Sequence, residues 1–224
     1  MRIGIIRIGI IGAGFVGRAV ARLAVEAGHE VMVSNSRGPR SLASIPSGIG
    51  AQVGTIAEAA MFGEVVLVAI PFEQYRSLPA EPLAGKVVID ANNHYPERDG
   101  SILALDAFET TTSELLATHL HASHVVKAFN AILAKDLEKD GRAAGSADRR
   151  ALPVAGDDEA SKAQVMRVID QLGFDPLDAG SLAESWRFER AKPAYCIPLQ
   201  TRQLVQALAA AEREVELPFG SWRA

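Results

Sequence analysis

Gly12-Ala-Gly14-Phe-Val-Gly17 follows the apolar run Arg7-Ile-Gly-Ile-Ile11 without a break and opens a helical pattern that stops at Gly28, before a second strand pattern at 30–34. Strand, glycine turn, helix and strand in that order make a βαβ unit. In that setting Gly12 permits the tight turn, Gly14 leaves the backbone open to a pyrophosphate, and Gly17 lets helix and strand pack closely. The free N–H groups and dipole of the new helix favour an anion there. The competing reading is a glycine-rich turn of structural meaning alone. The strand is itself a repeat, since Arg2-Ile-Gly-Ile-Ile6 precedes it. Only the copy that abuts the glycines can be the first sheet strand, so Arg2 to Ile6 is expected to be a frayed extension or an upstream translation start.

Short Val- and Ile-rich runs then alternate with helical patterns, the signature of a parallel sheet. The sequence predicts strands near 7–12, 30–34, 51–53, 64–70, 86–90 and 124–129. It predicts helices near 15–27, 39–46, 56–62, 72–78 and 113–120. After Asn130 a helix leads into the polar run 140–150, read as a surface loop. LPVAG (152–156) and FDPLDAG (174–180) are two further strand candidates around the helix beginning SKAQVM, and they could extend the sheet. A long Ala-rich helix is expected near 197–215, followed by an uninformative tail with Trp222. The expected fold is therefore α/β, a Rossmann doubly wound parallel sheet with a small C-terminal α/β extension. Residues 1–130 form the nucleotide-binding part, and 131–224 complete the sheet and the second-substrate cleft.

Charge and composition limit the partners. The formal charge is -4, and no basic patch suited to nucleic acid is evident. No apolar run approaches the roughly 18 residues of a membrane span. The N-terminal glycines interrupt any leader-like segment, and the lone Cys196 cannot form an internal disulfide. A cytoplasmic location is expected.

At the end of the second strand, an NAD enzyme usually places an acid against the ribose 2′-hydroxyl. Here the stretch reads Val33-Ser-Asn35-Ser36-Arg37-Gly-Pro-Arg40, without Asp or Glu. Ser36 offers a hydrogen bond, and Arg37 with Arg40 offers guanidinium groups suited to a 2′-phosphate. The pattern points to NADP(H), the alternative being arginines that merely solvate a loop.

His119, His121 and His124 invite a metal, but no Cys or carboxylate is placed to complete a tetrahedral set, so none is expected. Cys196 reads as a small buried hydrophobe, since Lys192 is its one evident positive neighbour. Trp186-Arg-Phe-Glu-Arg-Ala-Lys-Pro-Ala-Tyr195 concentrates aromatic and cationic groups in a chain with few aromatics. It could line a second-substrate cleft, with Arg187 or Arg190 meeting an anionic tail, or it could join the extension to the sheet or form part of a dimer face.

IGIIGAGFVG, SNSRGP, VVIDANNHYPERDG, HVVKAFN, VAGDDEASK and LGFDPLDAGSL together resemble the coenzyme F420-dependent NADP oxidoreductases and their bacterial relatives. The resemblance runs from residue 7 to about 195, and SNSRGP and VKAFN are more specific than the glycines. It implies NADP(H) over a phosphate loop of Gly12, Ala13, Gly14, Phe15, Val16 and Gly17, with a 2′-phosphate site at Ser36, Arg37 and Arg40. The nicotinamide is implied near Ile70, Pro71 and Ala131, in a cleft with Asn92, Phe129 and Asn130. A planar redox carrier such as coenzyme F420 or a flavin would take or give the hydride, and a homodimer is implied. Transfer between stacked rings is a positioning task and needs no acid–base pair, so no catalytic residue is assigned. Two rivals remain, a reductase of a small carbonyl or imine and a non-catalytic NADP(H) sensor. The first needs a proton carrier, for which Lys127, His94, Tyr95 and Asp90 are the candidates, each also readable as structural.

Overall fold

The structure, a computed structural model, describes residues 4–218 and 220. Arg2 and Ile3 of the first repeat, and Trp222, lie outside the described residues. Gly4 and Ile5 carry no regular structure and are exposed, so the second repeat is the strand, as its contact with the glycines requires. Ile6 is half-buried, and its carbonyl accepts the N–H of Glu30.

The first half runs β1 (Arg7–Ile11), α1 (Phe15–Glu26), β2 (Glu30–Ser34), α2 (Ile45–Ile49), β3 (Gln52–Gly54), α3 (Ile56–Phe62), β4 (Val65–Val68) and β5 (Val87–Asp90). Two short helices follow, α4 (Pro96–Asp99) and α5 (Leu103–Asp106), then α6 (Thr112–His119), β6 (His124–Lys127) and α7 (Ala134–Asp140). The remainder is β7 (Ala151–Gly156), α8 (Glu159–Gln171), β8 (Asp175–Asp178) and α9 (Thr201–Ala209). One sheet joins all eight described strands in the order β3-β2-β1-β4-β5-β6-β7-β8. The first six are parallel, β7 runs antiparallel to β6, and β8 runs parallel to β7. This is a Rossmann sheet that the late strands extend.

Why these runs are strands is visible in their two-sided burial. Ile8, Ile10, Val65, Leu67, Val87, Ile89 and Val126 enter one core with α1, α7 and α8, while Ile11, Val66, Val68, Val88 and Val125 enter another with α6 and Phe72. Alternate residues face opposite sides of a sheet, and helices cover both faces, so the strands read as unbroken apolar runs. Capping boxes at Thr55/Glu58 and Thr111/Glu114 start α3 and α6, satisfying N–H groups that the first turn leaves open.

Several expected elements are shorter or of another kind. The 72–78 segment is a 3₁₀ run over Phe72–Ser77, and the 39–46 helix splits into a 3₁₀ turn at Pro39–Leu42 and α2, with a proline early in each piece. The C-terminal helix is only Thr201–Ala209, because Pro198 cannot serve a helix interior and Gln200 caps the start. The 140–150 run is not simply a solvated loop. Arg149 and Arg150 are buried, the first paired with Asp170 and Asp175, the second with Asp136 and Asp140.

The join between β1 and α1 tolerates no side chain at Gly12 or Gly17. Gly12 has φ +117°, and a Cβ on Gly17 would stand 1.9 Å from the Gly12 carbonyl oxygen. A rigid backbone neighbour cannot give way to that overlap. Gly17→Ala should therefore cost about 3 kcal/mol, the upper end for overpacked cores. In thermal unfolding that is a fall of about 6–12 °C for a chain of this size, and an unchanged midpoint would contradict the packing described.

Candidate functional site

A cavity of about 560 Å³ opens at the carboxyl ends of β1, β2 and β4, where ligands bind in open α/β sheets. Gly12, Ala13 and Gly14 form one wall, Asn35, Ser36 and Arg37 another, and Ile70 and Pro71 a third. Gly14 is the N-cap of α1 and has no side-chain cap, no acid occupies the first turn, and nothing lies within 4 Å of where its Cβ would be. The helix N-terminus thus meets the cavity as bare backbone. Arg18 Nε donates to the Ala13 carbonyl at 2.9 Å, which holds the loop from behind.

The second wall is shaped by its own hydrogen bonds. Ser34 turns inward and donates to the Ile10 carbonyl, while the Asn35 side-chain oxygen accepts the Arg37 N–H at 3.0 Å. That turn leaves Ser36 and Arg37 exposed. Among the described residues Arg37 makes no ion pair. Of the residues singled out in the sequence, Phe15, Val16, Gly17, Arg40, Asn92, Asn130 and Ala131 do not line this cavity. Phe15 stands 87% exposed beside the loop, Gly17 is consumed in packing, and Arg40 is exposed further along the turn.

Asn92, Asn130 and Ala131 act behind the wall. Asn92 Oδ1 accepts the Ile70 N–H at 2.8 Å, tying the end of β4 to the end of β5. Asn130 Nδ2 donates to Asn93 Oδ1 and to the Phe188 carbonyl, and Asn93 Nδ2 returns a bond to the Asn130 carbonyl. Phe129, just before, is buried with φ 62°, a conformation costly for a bulky residue and held by its surroundings. The Ala131 carbonyl accepts the Cys196 N–H.

Beneath these turns lies a fully buried ion pair. Lys127 Nζ donates to Asp90 Oδ2 at 3.1 Å, the Asn92 carbonyl at 2.6 Å and Thr112 Oγ1 at 2.8 Å. Its three N–H groups are thereby used, and Asp90 also accepts from Ser113. Glu189 accepts from the Thr112 N–H and hydroxyl and lies 3.9 Å from Lys127. Lys127 and Asp90 are therefore structural, binding β5, β6, α6 and the 186–192 segment together. The other proton-carrier candidates are also engaged, His94 Nε2 with the Gly100 carbonyl and the Tyr95 hydroxyl with that of Tyr195. Burial pushes the Tyr195 hydroxyl far above its ordinary pKa.

The 186–196 stretch packs into a core on one side and lines a cavity on the other. Phe188, Ala191, Ala194, Tyr195 and Cys196 enter a core with Ala151, Ala155, Leu204 and Leu208, while Trp186, Glu189, Arg190 and Lys192 line a second cavity. Arg187 instead stacks on Trp186 and pairs with Glu184. Burial raises the Cys196 thiol to about 12, which keeps it protonated and unreactive near neutral pH. His119 Nε2 meets the Leu78 carbonyl, and His121 and His124 are exposed. The Tyr95–Tyr195 contact and the Glu189–Thr112 bonds left no local sign in the sequence, being separated by 100 and 77 residues.

Comparison with known proteins agrees with this geometry. Residues 7–94 match the family model described as NADP oxidoreductase, coenzyme F420-dependent. The metalloreductase STEAP3 of Rattus norvegicus is 35% identical over 188 residues, 81% of this chain, which spans only 36% of that protein's length. Among solved structures, a hypothetical protein from Sinorhizobium meliloti is similar with a TM-score of 0.77 and 27% identity, over 88% of this chain and 96% of that one. A candidate F420-dependent NADP-reductase from Arthrobacter sp. FB24 gives 0.67 and 26%, over 81% and 87%. Among the described residues no helix is long and apolar enough to cross a membrane.

Removing one partner of a buried ion pair leaves the other uncompensated, at a cost of about 3–5 kcal/mol. Lys127→Met should lose that much stability in denaturant unfolding, and adding Asp90→Leu should recover part of it. A Lys127→Met protein as stable as the parent would contradict the structural role.

Proposed function

This chain belongs to the family of coenzyme F420-dependent NADP oxidoreductases, whose model it matches over residues 7–94, and on that premise we propose that it moves a hydride between NADP(H) and a planar redox carrier. Coenzyme F420 and the flavins are carriers of that kind. The observation behind this reading is the pairing of Arg37, exposed and without an ion pair among the described residues, with the bare N-terminus of α1 in one cavity. Phosphate groups suit both.

The residues present fit such a cofactor. Gly12 to Gly14 and the first turn of α1 would hold the pyrophosphate, with Phe15 and Val16 supplying backbone N–H groups and Gly17 keeping the turn close. Ser36 and Arg37 would hold the 2′-phosphate, Asn35 shaping their turn and Arg40 adding positive potential. Bound NADPH supplies a hydride from its dihydronicotinamide ring. Ile70 and Pro71 would give that ring an apolar wall, which Asn92 fixes through the Ile70 N–H. Asn130 and Ala131 would keep the neighbouring turn small and rigid. With Lys127 and Asp90 locked in the buried pair, the chain's contribution is positioning and exclusion of water.

A second reading, reduction of a small carbonyl or imine, draws on the Tyr95–Tyr195 hydroxyl pair, which offers a protonated donor. The two readings separate on Tyr95→Phe. Positioning alone predicts a loss in turnover of less than about a hundredfold, and a donor role predicts up to about 10⁴-fold.

Arg37→Ala should weaken NADPH by about 1.5–3 kcal/mol, the worth of a charge-assisted contact, and leave NADH nearly unchanged. Gly14→Val should fold normally and lose both nucleotides. Oxidation of NADPH with a panel of deazaflavin, flavin and quinone acceptors is the direct test of turnover. Equal losses for both cofactors in Arg37→Ala, or no turnover with any acceptor, would remove the reading.

A further inference from the structure

The second cavity, about 300 Å³, lies across the turn after β5 from the cofactor cleft. Asn92 accepts the N–H of Ile70, a wall of the cleft, and His94, two residues on, lines the second cavity. Leu105, Phe108 and Trp186 give that cavity flat apolar surface.

Most of its charged groups are already engaged. Glu189 accepts from Thr112, Asp106 accepts from Ser101, and Arg190 meets Glu97 and Glu216. Lys192 donates to the carbonyls of Glu212, Arg213 and Val215, which uses its three N–H groups. Arg213 differs. Its guanidinium lies 5.9 Å from the centre of the Trp186 ring, and among the described residues it makes no hydrogen bond or ion pair. A guanidinium over an aromatic face still has N–H groups free at its edge for a planar acid.

We propose that this cavity binds a small flat aromatic acid, with its ring among the lining side chains of Leu105, Phe108 and Trp186 and its acidic group on Arg213. Its volume is at the small end for ligand sites, which suits one or two fused rings. It shares no lining residue with the cofactor cleft and is a ligand site apart from it. The residues that define it, Trp186 and Arg213, lie outside the segment that matches the family.

The probes are 2-naphthoate and its neutral isostere 2-naphthamide, titrated calorimetrically into the whole chain with and without NADP⁺. The acid should bind at least about tenfold more tightly than the amide, the effect of one charge-assisted contact. Arg213→Gln should erase that preference by weakening the acid alone, with NADP⁺ affinity unchanged. Leu105→Trp, which fills the cavity, should weaken both probes. Equal affinity for the two probes, binding of neither, or a preference that survives Arg213→Gln overturns the proposal. Binding of NADP⁺ through Arg37 without binding of 2-naphthoate removes this site and leaves the oxidoreductase reading. Binding of 2-naphthoate through Arg213 without NADP⁺ keeps the site and removes that reading.

Discussion

Helix α1 can start directly over the end of β1 only because two backbones approach within the space of a methyl group. At Gly17 a Cβ would overlap the carbonyl of Gly12, and Gly12 itself adopts φ +117°. This contact aims the first turn of α1 at the mouth of the sheet. It also leaves Gly14 facing open space, so that unpaired N–H groups and the positive end of the helix dipole are presented together. The parallel neighbours β2 and β4 then set Ser36, Arg37, Ile70 and Pro71 around that point. A bulkier residue at 17 would tilt the helix and disperse the cavity, whatever the other walls did.

Behind the Ile70 wall of the cleft the structure is organised by charge. Lys127 and Asp90 sit at paired positions of β6 and β5, both fully buried, and their hydrogen bonds reach Asn92, Thr112 and Ser113. Glu189 extends the cluster into the segment that lines the second cavity. A buried ion pair contributes little net stability and much geometric definition when every hydrogen bond is made. Here it fixes the turns after β5 and β6, between the two cavities.

The legible parts of the sequence were those with a local period or a local rule. The glycine turn, the Val- and Ile-rich strands and the acid-free end of β2 each declare themselves within a few residues. Lys127 on β6 could be read either as a base or as a packed side chain, because its partners Asp90 and Thr112 come from other elements. Arg149 and Arg150 looked solvated in a polar run and are buried, since the carboxylates that pair with them lie on α7, α8 and β8. Helix ends were overestimated where 3₁₀ turns replaced helix, at Phe72–Ser77 and Pro39–Leu42. For Lys127, Arg149 and Arg150 the deciding contact comes from another element, whereas the helix ends turn on local prolines.

The central claim is that Arg37 and Ser36 face a 2′-phosphate, and ³¹P resonance of bound NADP⁺ observes that group directly. Free, a phosphate monoester titrates with a second pKa of about 6. Beside a guanidinium it should remain a dianion to lower pH, because the opposite charge favours the ionised form. In the parent protein the 2′-phosphate signal should therefore hold its dianionic position down to about pH 5, and in Arg37→Ala it should move back towards free behaviour. A bound 2′-phosphate that titrates as it does in free solution would contradict the assignment.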